Sequence, residues 1–243
     1  MNRTILITGA SSGLGLELAK RFVNHGDFVY GISKTRKRWK HARKSIGVSK
    51  RFHLIQLDVT NERKVRAFFK NTHRKTGAFD ILINDAGYSG RPVRAEKLPL
   101  PEFQKNLSHN LISAFLVCKH AIPTFRKKNK GLIINISSMA GKRAVPRLAA
   151  YSASKFGVVA LSQAIAKEND DTNLKCITVC PGGMNTAMRA KLFGKKDARK
   201  QQSSDFVASI IMKIIQNKIH VESGGDIIIR HGKITAINPC PPA

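Results

Sequence analysis

The sequence predicts an α/β protein with a doubly wound, mainly parallel sheet of about seven strands and helices on both faces. Short apolar runs alternate with amphipathic helical patterns along all 243 residues, as they do in consecutive βαβ units. The predicted strands are apolar on both faces, which indicates burial between two helix layers. A glycine-rich turn follows the first strand, and no composition break suggests a linker. We therefore expect one domain over residues 1–243.

The individual elements follow from periodicity and from turn residues at their ends. Strands are predicted at Thr4–Thr8, Phe28–Ser33, Phe52–Val59, Asp80–Ile83, Leu132–Ser137, Lys175–Cys180 and Asp226–Arg230. Helices are predicted at Leu14–Asn24, Glu62–Thr72, Phe103–Phe125, Ala149–Glu168 and Asp205–Gln216, with a more basic one within Lys37–Ser45. After the last strand we expect only a short tail that contains prolines.

Composition excludes several classes of protein. With 42% hydrophobic residues the chain can form a full core, but no apolar run approaches the roughly 18 to 20 residues that span a bilayer. The first residues lead directly into a strand, without the features of a secretory signal. The 4 cysteines form no disulfide framework, and none of the 8 histidines belongs to a ligand-spaced pair, so no metal site is predicted. We expect a soluble, cytoplasmic protein.

The turn after the first strand has the sequence Thr8-Gly9-Ala10-Ser11-Ser12-Gly13-Leu14-Gly15. Glycines permit a tight turn and close approach of the backbone to a pyrophosphate, and the N-terminus of the following helix offers N–H groups to the phosphates. The strand, turn and helix together predict dinucleotide binding in a Rossmann-type sheet. A glycine-rich turn without a ligand is the alternative.

A second pattern is Tyr151-Ser152-Ala153-Ser154-Lys155. Tyr151 and Lys155 lie four residues apart and share one helix face. An ammonium beside a phenol stabilises the phenolate and lowers its pKa, so Tyr151 is a candidate general acid or base. Such a pair also arises by chance. Its position is the stronger signal, because Ser138, at the end of a strand, lies thirteen residues before Tyr151.

Together these motifs resemble the short-chain dehydrogenase/reductase family, over essentially the whole chain. The glycine motif TGxxxGxG of that family matches Thr8 to Gly15, and its YxxxK motif matches Tyr151 and Lys155. The remaining matches are the acidic residue Asp58, the NNAG motif at Asn84-Asp85-Ala86-Gly87, the active-site Asn110 and Ser138, and the PG motif at Pro181-Gly182. Asp85 departs from the pattern because the family has asparagine there.

The resemblance implies a catalytic set of Asn110, Ser138, Tyr151 and Lys155. Tyr151 would exchange a proton with the substrate oxygen, Ser138 would orient that oxygen, Lys155 would hold the nicotinamide ribose, and Asn110 would bind a water molecule. It also implies cofactor contacts by Gly9, Ser11, Ser12, Gly13, Leu14, Gly15, Asp58, Val59, Asn84, Ala86, Gly87, Tyr151, Lys155, Pro181, Gly182 and Thr186. Within this set, Asp58 would accept from the adenine amino group and Thr186 would meet the carboxamide.

The stretch after the second strand bears on cofactor choice. NAD enzymes of this type usually place a carboxylate there to bind the adenosine ribose, but Gly31 to Arg36 contains no acid. Ser33, Lys34 and Arg36 would instead receive a 2′-phosphate. We therefore predict a preference for NADP(H) over NAD(H). The alternative is that Lys34 and Arg36 merely begin a solvated basic face.

The charge is extreme, with 43 Lys and Arg against 15 Asp and Glu and a formal net charge of +28. Basic residues cluster in the segment 34–53 and in the expected substrate lid, approximately 184–203. Others lie on loops at the carboxyl ends of strands, namely Arg91, Arg94, Lys142, Arg143 and Arg147. A basic rim favours anionic substrates such as acyl thioesters or keto acids. The alternative is a basic surface with no specific partner.

The resemblance thus implies an oxidoreductase that transfers hydride between NADP(H) and a carbonyl or secondary alcohol substrate. One alternative is a 3-oxoacyl-(acyl carrier protein) reductase, although the C-terminal segment departs from that pattern. An alternative of another class is a nucleic-acid-binding protein using the segment 34–40, but only 7% of the residues are aromatic and no known module is present. Two helices, Phe103–Phe125 and Ala149–Glu168, match those through which family members pair, so we expect a homo-oligomer, a tetramer or dimer.

Overall fold

The computed structural model describes residues 2–47 and 49–242, with side chains throughout except at 73–76. The predicted domain of 1–243 includes Met1, Val48 and Ala243, which lie outside the described residues. The strands are β1 Thr4–Thr8, β2 Phe28–Ser33, β3 Phe52–Gln56, β4 Ile81–Asn84, β5 Gly131–Ile136, β6 Leu174–Pro181, β7 Asp226–Arg230 and β8 Lys233–Asn238. The α-helices are α1 Gly13–Asn24, α2 Trp39–Ile46, α3 Glu62–Thr76, α4 Leu100–Leu107, α5 Ser113–Lys128, α6 Ala149–Lys167, α7 Ala187–Phe193, α8 Lys195–Arg199 and α9 Ser204–Ile215.

The strands form one sheet of eight within the described residues, in the order β3-β2-β1-β4-β5-β6-β7-β8. β1 to β7 are parallel, and β8 is antiparallel to β7. This confirms the predicted doubly wound α/β sheet. β2 and β3 are added on one side of β1, and β4 to β7 on the other, so the strand order reverses between β1 and β4. In open α/β sheets a crevice forms at the carboxyl ends of the strands at such a switch point.

The predicted tail after β7 was wrong, because Lys233–Asn238 is the strand β8. His231 and Gly232 form the connection with φ angles of 51° and 70°, and two successive positive φ angles are typical of the tight turns of β-hairpins. Residues of β8 alternate between exposed and half-buried, as an edge strand with one solvated face does. In the sequence, polar and apolar residues alternate only over the first four positions, since Ile237 is exposed and Asn238 is half-buried.

Other boundaries also differ from the prediction. The helix predicted at Phe103–Phe125 is part of a longer helical segment made of α4, a π-helical turn at Ser108–Ile112, and α5. β3 ends at Gln56 instead of Val59. The Asp58 carboxylate accepts hydrogen bonds from the Thr60 N–H and hydroxyl, at 3.1 and 2.7 Å, and this local turn ends the strand.

The core has one layer on each side of the sheet, because successive strand residues point to opposite faces. In β1, Ile5 and Ile7 pack in the layer that contains Phe22 of α1 and α9. Leu6 packs in the other layer, which contains residues of α3 and α5, among them Phe125 of α5. In the described part of the chain, no helix combines the length and apolar character that crossing a membrane requires.

Candidate active site

The glycine-rich turn lies between β1 and α1 and is shaped by close backbone approach. Gly9 has a φ of +77°, and a Cβ there would lie 3.0 Å from the backbone nitrogen of Ala86. Gly13 has a φ of +57°, which L residues with side chains rarely adopt. Ser12 precedes α1 in extended conformation, and its side chain makes no capping hydrogen bond. The Gly13 and Leu14 N–H groups at the start of α1 are therefore available to a phosphate, whereas the Gly15 N–H donates to Asp85.

A cleft of about 1020 Å³ runs along this turn at the carboxyl ends of the strands. Gly13 and Thr186 both line it and lie close together, since a Cβ on Gly13 would be 3.7 Å from the Thr186 methyl carbon. Of the residues predicted to contact a cofactor, the cleft is lined by Gly9, Ser12, Gly13, Leu14, Ala86, Gly87, Tyr151, Lys155 and Thr186. The glycine turn and the uncapped helix end fit the pyrophosphate of a dinucleotide.

The remaining predicted cofactor contacts lie elsewhere. Ser11, Gly15, Ser33, Val59 and Asn84 are buried and do not line the cleft. Ser33 donates a 3.0 Å hydrogen bond to the Ser11 hydroxyl, and the Asn84 amide donates to Asn135 at 2.9 Å. Pro181 and Gly182 line a second, smaller cavity. The Ser33–Ser11 hydrogen bond stabilises the glycine-rich turn, and the Asn84–Asn135 hydrogen bond stabilises the sheet beside the cleft.

The basic segment after β2 is arranged differently from the prediction. Lys34 forms a 2.9 Å ion pair with Asp58. Burial raises the pKa of Asp58, but bonds from Lys34 and Thr60 outweigh it and lower that pKa to about 2. The Arg36 guanidinium lies over the Trp39 ring, 5.2 Å from its centroid. Neither Lys34, Arg36 nor Asp58 lines the cleft.

Arg38 is the basic side chain of this segment that reaches the glycine turn. Its Nη1 donates a 2.9 Å hydrogen bond to the Ser12 hydroxyl, and it lines the cleft. The sequence prediction named Lys34 and Arg36 and missed Arg38. No periodic signal distinguishes these neighbours, because a short helical turn at Arg36–Arg38 decides which side chain points to the cleft.

The four predicted catalytic residues come from three parts of the fold. Tyr151 and Lys155 lie on α6, Ser138 follows β5, and Asn110 lies in the π-helical turn between α4 and α5. The Asn110 amide donates to the Tyr88 carbonyl at 2.8 Å and to the Ser154 hydroxyl at 2.9 Å. Its side-chain oxygen accepts from the Tyr88 N–H at 2.8 Å. Asn110 thereby connects the loop after β4 to α6, and single π-helical turns often occur at functional sites.

Lys155 and Tyr151 are adjacent on α6 but are not hydrogen-bonded to each other in the described structure. The Lys155 ammonium donates a 2.8 Å hydrogen bond to the Ile136 carbonyl and lies 5.8 Å from the centre of the Tyr151 ring. Burial raises the pKa of Tyr151, a hydrogen bond with Ser138 opposes this, and the charge of Asp85 adds to it. Tyr151 is therefore a neutral phenol near pH 7, whereas the sequence argument expected a lowered pKa.

Asp85, the departure from the family pattern, contacts the same site. Its Oδ2 accepts a 2.8 Å hydrogen bond from the Gly15 N–H in the first turn of α1. Burial raises the pKa of Asp85 to about 7, although the nearby Lys155 charge and the Gly15 N–H act to lower it. Burial likewise lowers the pKa of Lys155 to about 8, against the charges of Asp85 and Cys180. An ionised Asp85 is therefore costly in the folded protein.

We expect Asp85→Asn to become more stable relative to wild type as pH rises. Because the folded pKa of Asp85 is raised above its ordinary value of 3.8, the folded state holds a proton that the unfolded state has lost, and stability falls as pH rises toward 7. Asparagine does not titrate. The advantage of the variant in free energy of unfolding should grow by about 1 to 2 kcal/mol between about pH 5 and about pH 8, measured by urea denaturation.

The matched control is Asp170→Asn, at an exposed residue remote from this cleft. Its difference from wild type should stay constant over the same range. If Asp85→Asn also shows a constant difference, Asp85 does not exchange a proton on folding.

A second cavity of about 530 Å³ adjoins the cleft. Ser138 and Tyr151 line it, together with apolar side chains that include Leu148, Met188 and Phe193. Tyr151 also lines the larger cleft, so this residue lies at the boundary between the two spaces. Lys142 was expected on the basic rim of the site, but its ammonium forms a 2.7 Å ion pair with the buried Asp226. No cluster of three or more potential metal ligands occurs among the described residues.

Comparison with known proteins agrees with this geometry. The short chain dehydrogenase family matches residues 3–197. The chain is 30% identical over 205 residues to 2-(R)-hydroxypropyl-CoM dehydrogenase of Xanthobacter autotrophicus, covering 83% of this chain and 82% of that protein. It is 28% identical over 227 residues to the NADPH-dependent pterin aldehyde reductase of Arabidopsis thaliana, covering 93% of each. The solved structure of levodione reductase is similar with a TM-score of 0.88 at 23% identity, covering 95% of this chain and 96% of that one.

The family match extends from β1 into α8, so it includes the glycine-rich turn, the π-helical turn of Asn110 and the helix of Tyr151 and Lys155. The fold and the family match therefore agree. The chain belongs to the short-chain dehydrogenase/reductase family and is an NAD(P)-dependent oxidoreductase that acts on CH–OH or C=O groups.

Proposed function

We propose that this protein reduces the carbonyl group of a small molecule with NADPH, with Tyr151 as the proton donor. The observation that carries this proposal is the position of Tyr151 on the boundary between the cleft and the second cavity. A substrate carbonyl in the second cavity would meet Tyr151 and Ser138 at the opening to the cleft. We call the second cavity the substrate pocket from here on.

The cleft residues hold the cofactor in this proposal. Ser12 and the N–H groups of Gly13 and Leu14 bind the pyrophosphate, because these residues line the cleft and the Ser12 side chain does not cap α1. Lys155, buried at the base of the cleft, binds the nicotinamide ribose. Thr186, which also lines the cleft, meets the carboxamide end. When bound, the nicotinamide supplies the hydride.

The protonated state of Tyr151 fits the role of proton donor in carbonyl reduction. Because burial keeps the pKa of Tyr151 above its ordinary value, the side chain carries the proton that a reduced carbonyl oxygen needs. Ser138 donates a hydrogen bond to that oxygen and orients it. Asn110 acts through its bonds to Tyr88 and Ser154, which hold the loop after β4 against α6. We also assign to it the binding of a water molecule that returns a proton toward Lys155.

The preference for NADP(H) is part of the proposal. Ser33, Lys34 and Arg36 stay candidates for the 2′-phosphate, and Arg38 joins them because it lines the cleft and bonds to Ser12. The described residues 33–38 include no carboxylate at the end of β2 that would repel that phosphate. The relative from Arabidopsis thaliana, which is NADPH-dependent by name, is consistent with this choice.

The experiment that tests the proposal follows NADPH consumption over a panel of aldehydes, ketones and ketoacyl thioesters. We expect turnover with at least one carbonyl class and little with NADH. Lys155→Ala should lose both turnover and NADPH affinity, because Lys155 binds the ribose and borders Tyr151. NADPH binding without reduction of any carbonyl in the panel would contradict the proposal.

We also propose that the protein is a homo-oligomer, a tetramer or dimer, formed through α5 and α6. Ile112, Phe115 and Phe156 are each 44% exposed, and exposed large apolar side chains on adjacent elements are typical of protein interfaces. Light scattering should give a multiple of the 26.8 kDa chain mass. Phe156→Glu should lower that mass, because it places a charge in the apolar face. A mass of one chain for wild type would contradict the proposal.

A further inference from the structure

The substrate pocket has a charged side as well as an apolar one. Its apolar wall includes Leu148, with Met188 and Phe193, which are 40% and 41% exposed at α7. Its polar wall includes His231 and the cationic side chains Arg143, Arg189, Lys200 and Arg230. None of the described residues that line it is acidic. This combination is suited to a molecule with an apolar body and an anionic end.

The backbone of Arg230 and the first part of its side chain are held in place by neighbouring residues. It is half-buried at the end of β7, and its side-chain Cγ lies close over Gly182, where a Cβ would be only 2.8 Å away. The Gln202 amide donates to the Ile229 carbonyl at 2.8 Å, and its oxygen accepts from the Gly232 N–H at 3.2 Å. Gln202 thereby fixes the hairpin on both sides of Arg230. A fixed cation loses less conformational entropy when it binds an anion.

The charge of Arg230 is also not neutralised within the protein. No carboxylate of the described residues forms an ion pair with Arg230 or Arg143, whereas Arg189, which also lines the pocket, pairs with Asp197. Arg189 additionally lies over the Phe193 ring, 4.1 Å from its centroid. Arg189 thus holds α7 against α8, and its hydrogen bond and the nearby Lys200 charge both lower the pKa of Asp197. Arg143 and Arg230 are left to bind a ligand in the described part of the pocket.

We infer that the substrate is a carbonyl compound with an apolar body and a terminal carboxylate or similar anion, which Arg230 binds with the help of Arg143. This inference rests on the proposed function, since it assumes that the carbonyl lies at Ser138 and Tyr151. The chain has a formal net charge of +28. A test must therefore distinguish binding of the anion by Arg230 from the general attraction of anions to a positively charged protein.

The test uses a series of straight-chain oxo-carboxylates with increasing separation between carbonyl and carboxylate, each paired with its methyl ester. With NADPH, wild type should favour the best acid over its ester by at least about tenfold in kcat/KM. Arg230→Met keeps the Cγ packing on Gly182 but removes the charge. It should lower kcat/KM for that acid by about 10- to 100-fold, mainly through KM, and leave the ester unchanged. Unchanged ester activity also shows that the variant is folded.

Lys213→Gln is the matched control, because it removes one positive charge on an exposed face of α9 outside both cavities. If this variant lowers the acid rate as much as Arg230→Met does, the overall field is responsible and the inference fails. Equal use of acid and ester by wild type also overturns it, while ester reduction that requires Tyr151 would leave the proposed function intact.

Calorimetry supplies a readout that does not depend on turnover. The same carboxylates are titrated into the protein with NADP⁺ present. Arg230→Met should raise the dissociation constant of the tightest-binding carboxylate by about 10- to 100-fold. If wild type binds none of the carboxylates, or Arg230→Met binds them equally well, the inference is wrong whatever the catalytic result.

Discussion

Tyr151→Phe should lower kcat for NADPH-dependent carbonyl reduction at least about a hundredfold, since general acid catalysis typically contributes about 10² to 10⁴ in rate. The ring remains, so the packing at the boundary of the two cavities is kept, and only the proton donor is lost. NADPH affinity should change little, because Lys155 and the glycine-rich turn are untouched. The measurements are steady-state turnover and NADPH binding followed by fluorescence.

Tyr30→Phe is the matched control for the loss of one phenol hydroxyl. Tyr30 lies on β2, where its ring packs against His53 and Phe79, 5.0 and 5.6 Å away between centroids. That variant should retain wild-type turnover. Near-normal turnover of Tyr151→Phe would show that another group supplies the proton.

Arg38→Ala should weaken NADPH binding by about 10- to 100-fold and leave NADH binding nearly unchanged. Hydrogen bonds to a charged group are worth about 1.5 to 3 kcal/mol, and Arg38 is the basic side chain of the 34–38 segment that lines the cleft. NADH lacks the 2′-phosphate and so loses nothing. Dissociation constants for both cofactors, at low and high salt, measure the effect and its electrostatic part.

Two further variants separate the neighbouring basic residues. Lys37→Ala removes the same charge from an exposed position outside the cleft and should have a small effect that salt abolishes. Lys34→Ala/Arg36→Ala tests the choice made from sequence, by which losing both would cost about two to four orders of magnitude. A larger loss in this double variant than in Arg38→Ala would assign the phosphate to Lys34 and Arg36. If every variant loses as much affinity for NADH as for NADPH, the segment does not bind the 2′-phosphate and is only a solvated basic face.

The elements that repeat a local pattern were predictable from the sequence. β1, β2 and β7 have the bounds predicted for them, because apolar runs and the turn residues beside them are local properties of the chain. The family was recognisable for a related reason, since both of its main motifs have fixed spacing. In Thr8 to Gly15 the glycines allow the backbone turn, and in Tyr151 to Lys155 the four-residue spacing puts both side chains on one helix face. β8 was missed because polar and apolar residues alternate over only part of it and a tail was expected there.

Contacts between distant segments were decided only by the tertiary structure. Lys34 and Arg38 are equivalent as sequence, yet one pairs with Asp58, in the turn after the neighbouring strand β3, and the other reaches Ser12. The pKa of Tyr151 depends on burial by several elements and on Asp85, which is remote in the chain. Arg230 gains its place in the substrate pocket from Gln202 and Gly182. By itself, the sequence determined the sheet and the family, because the spacing of residues sets secondary structure and turn geometry. The direction of a side chain and the extent of its desolvation depend on contacts with many distant residues, so only the tertiary structure decided them.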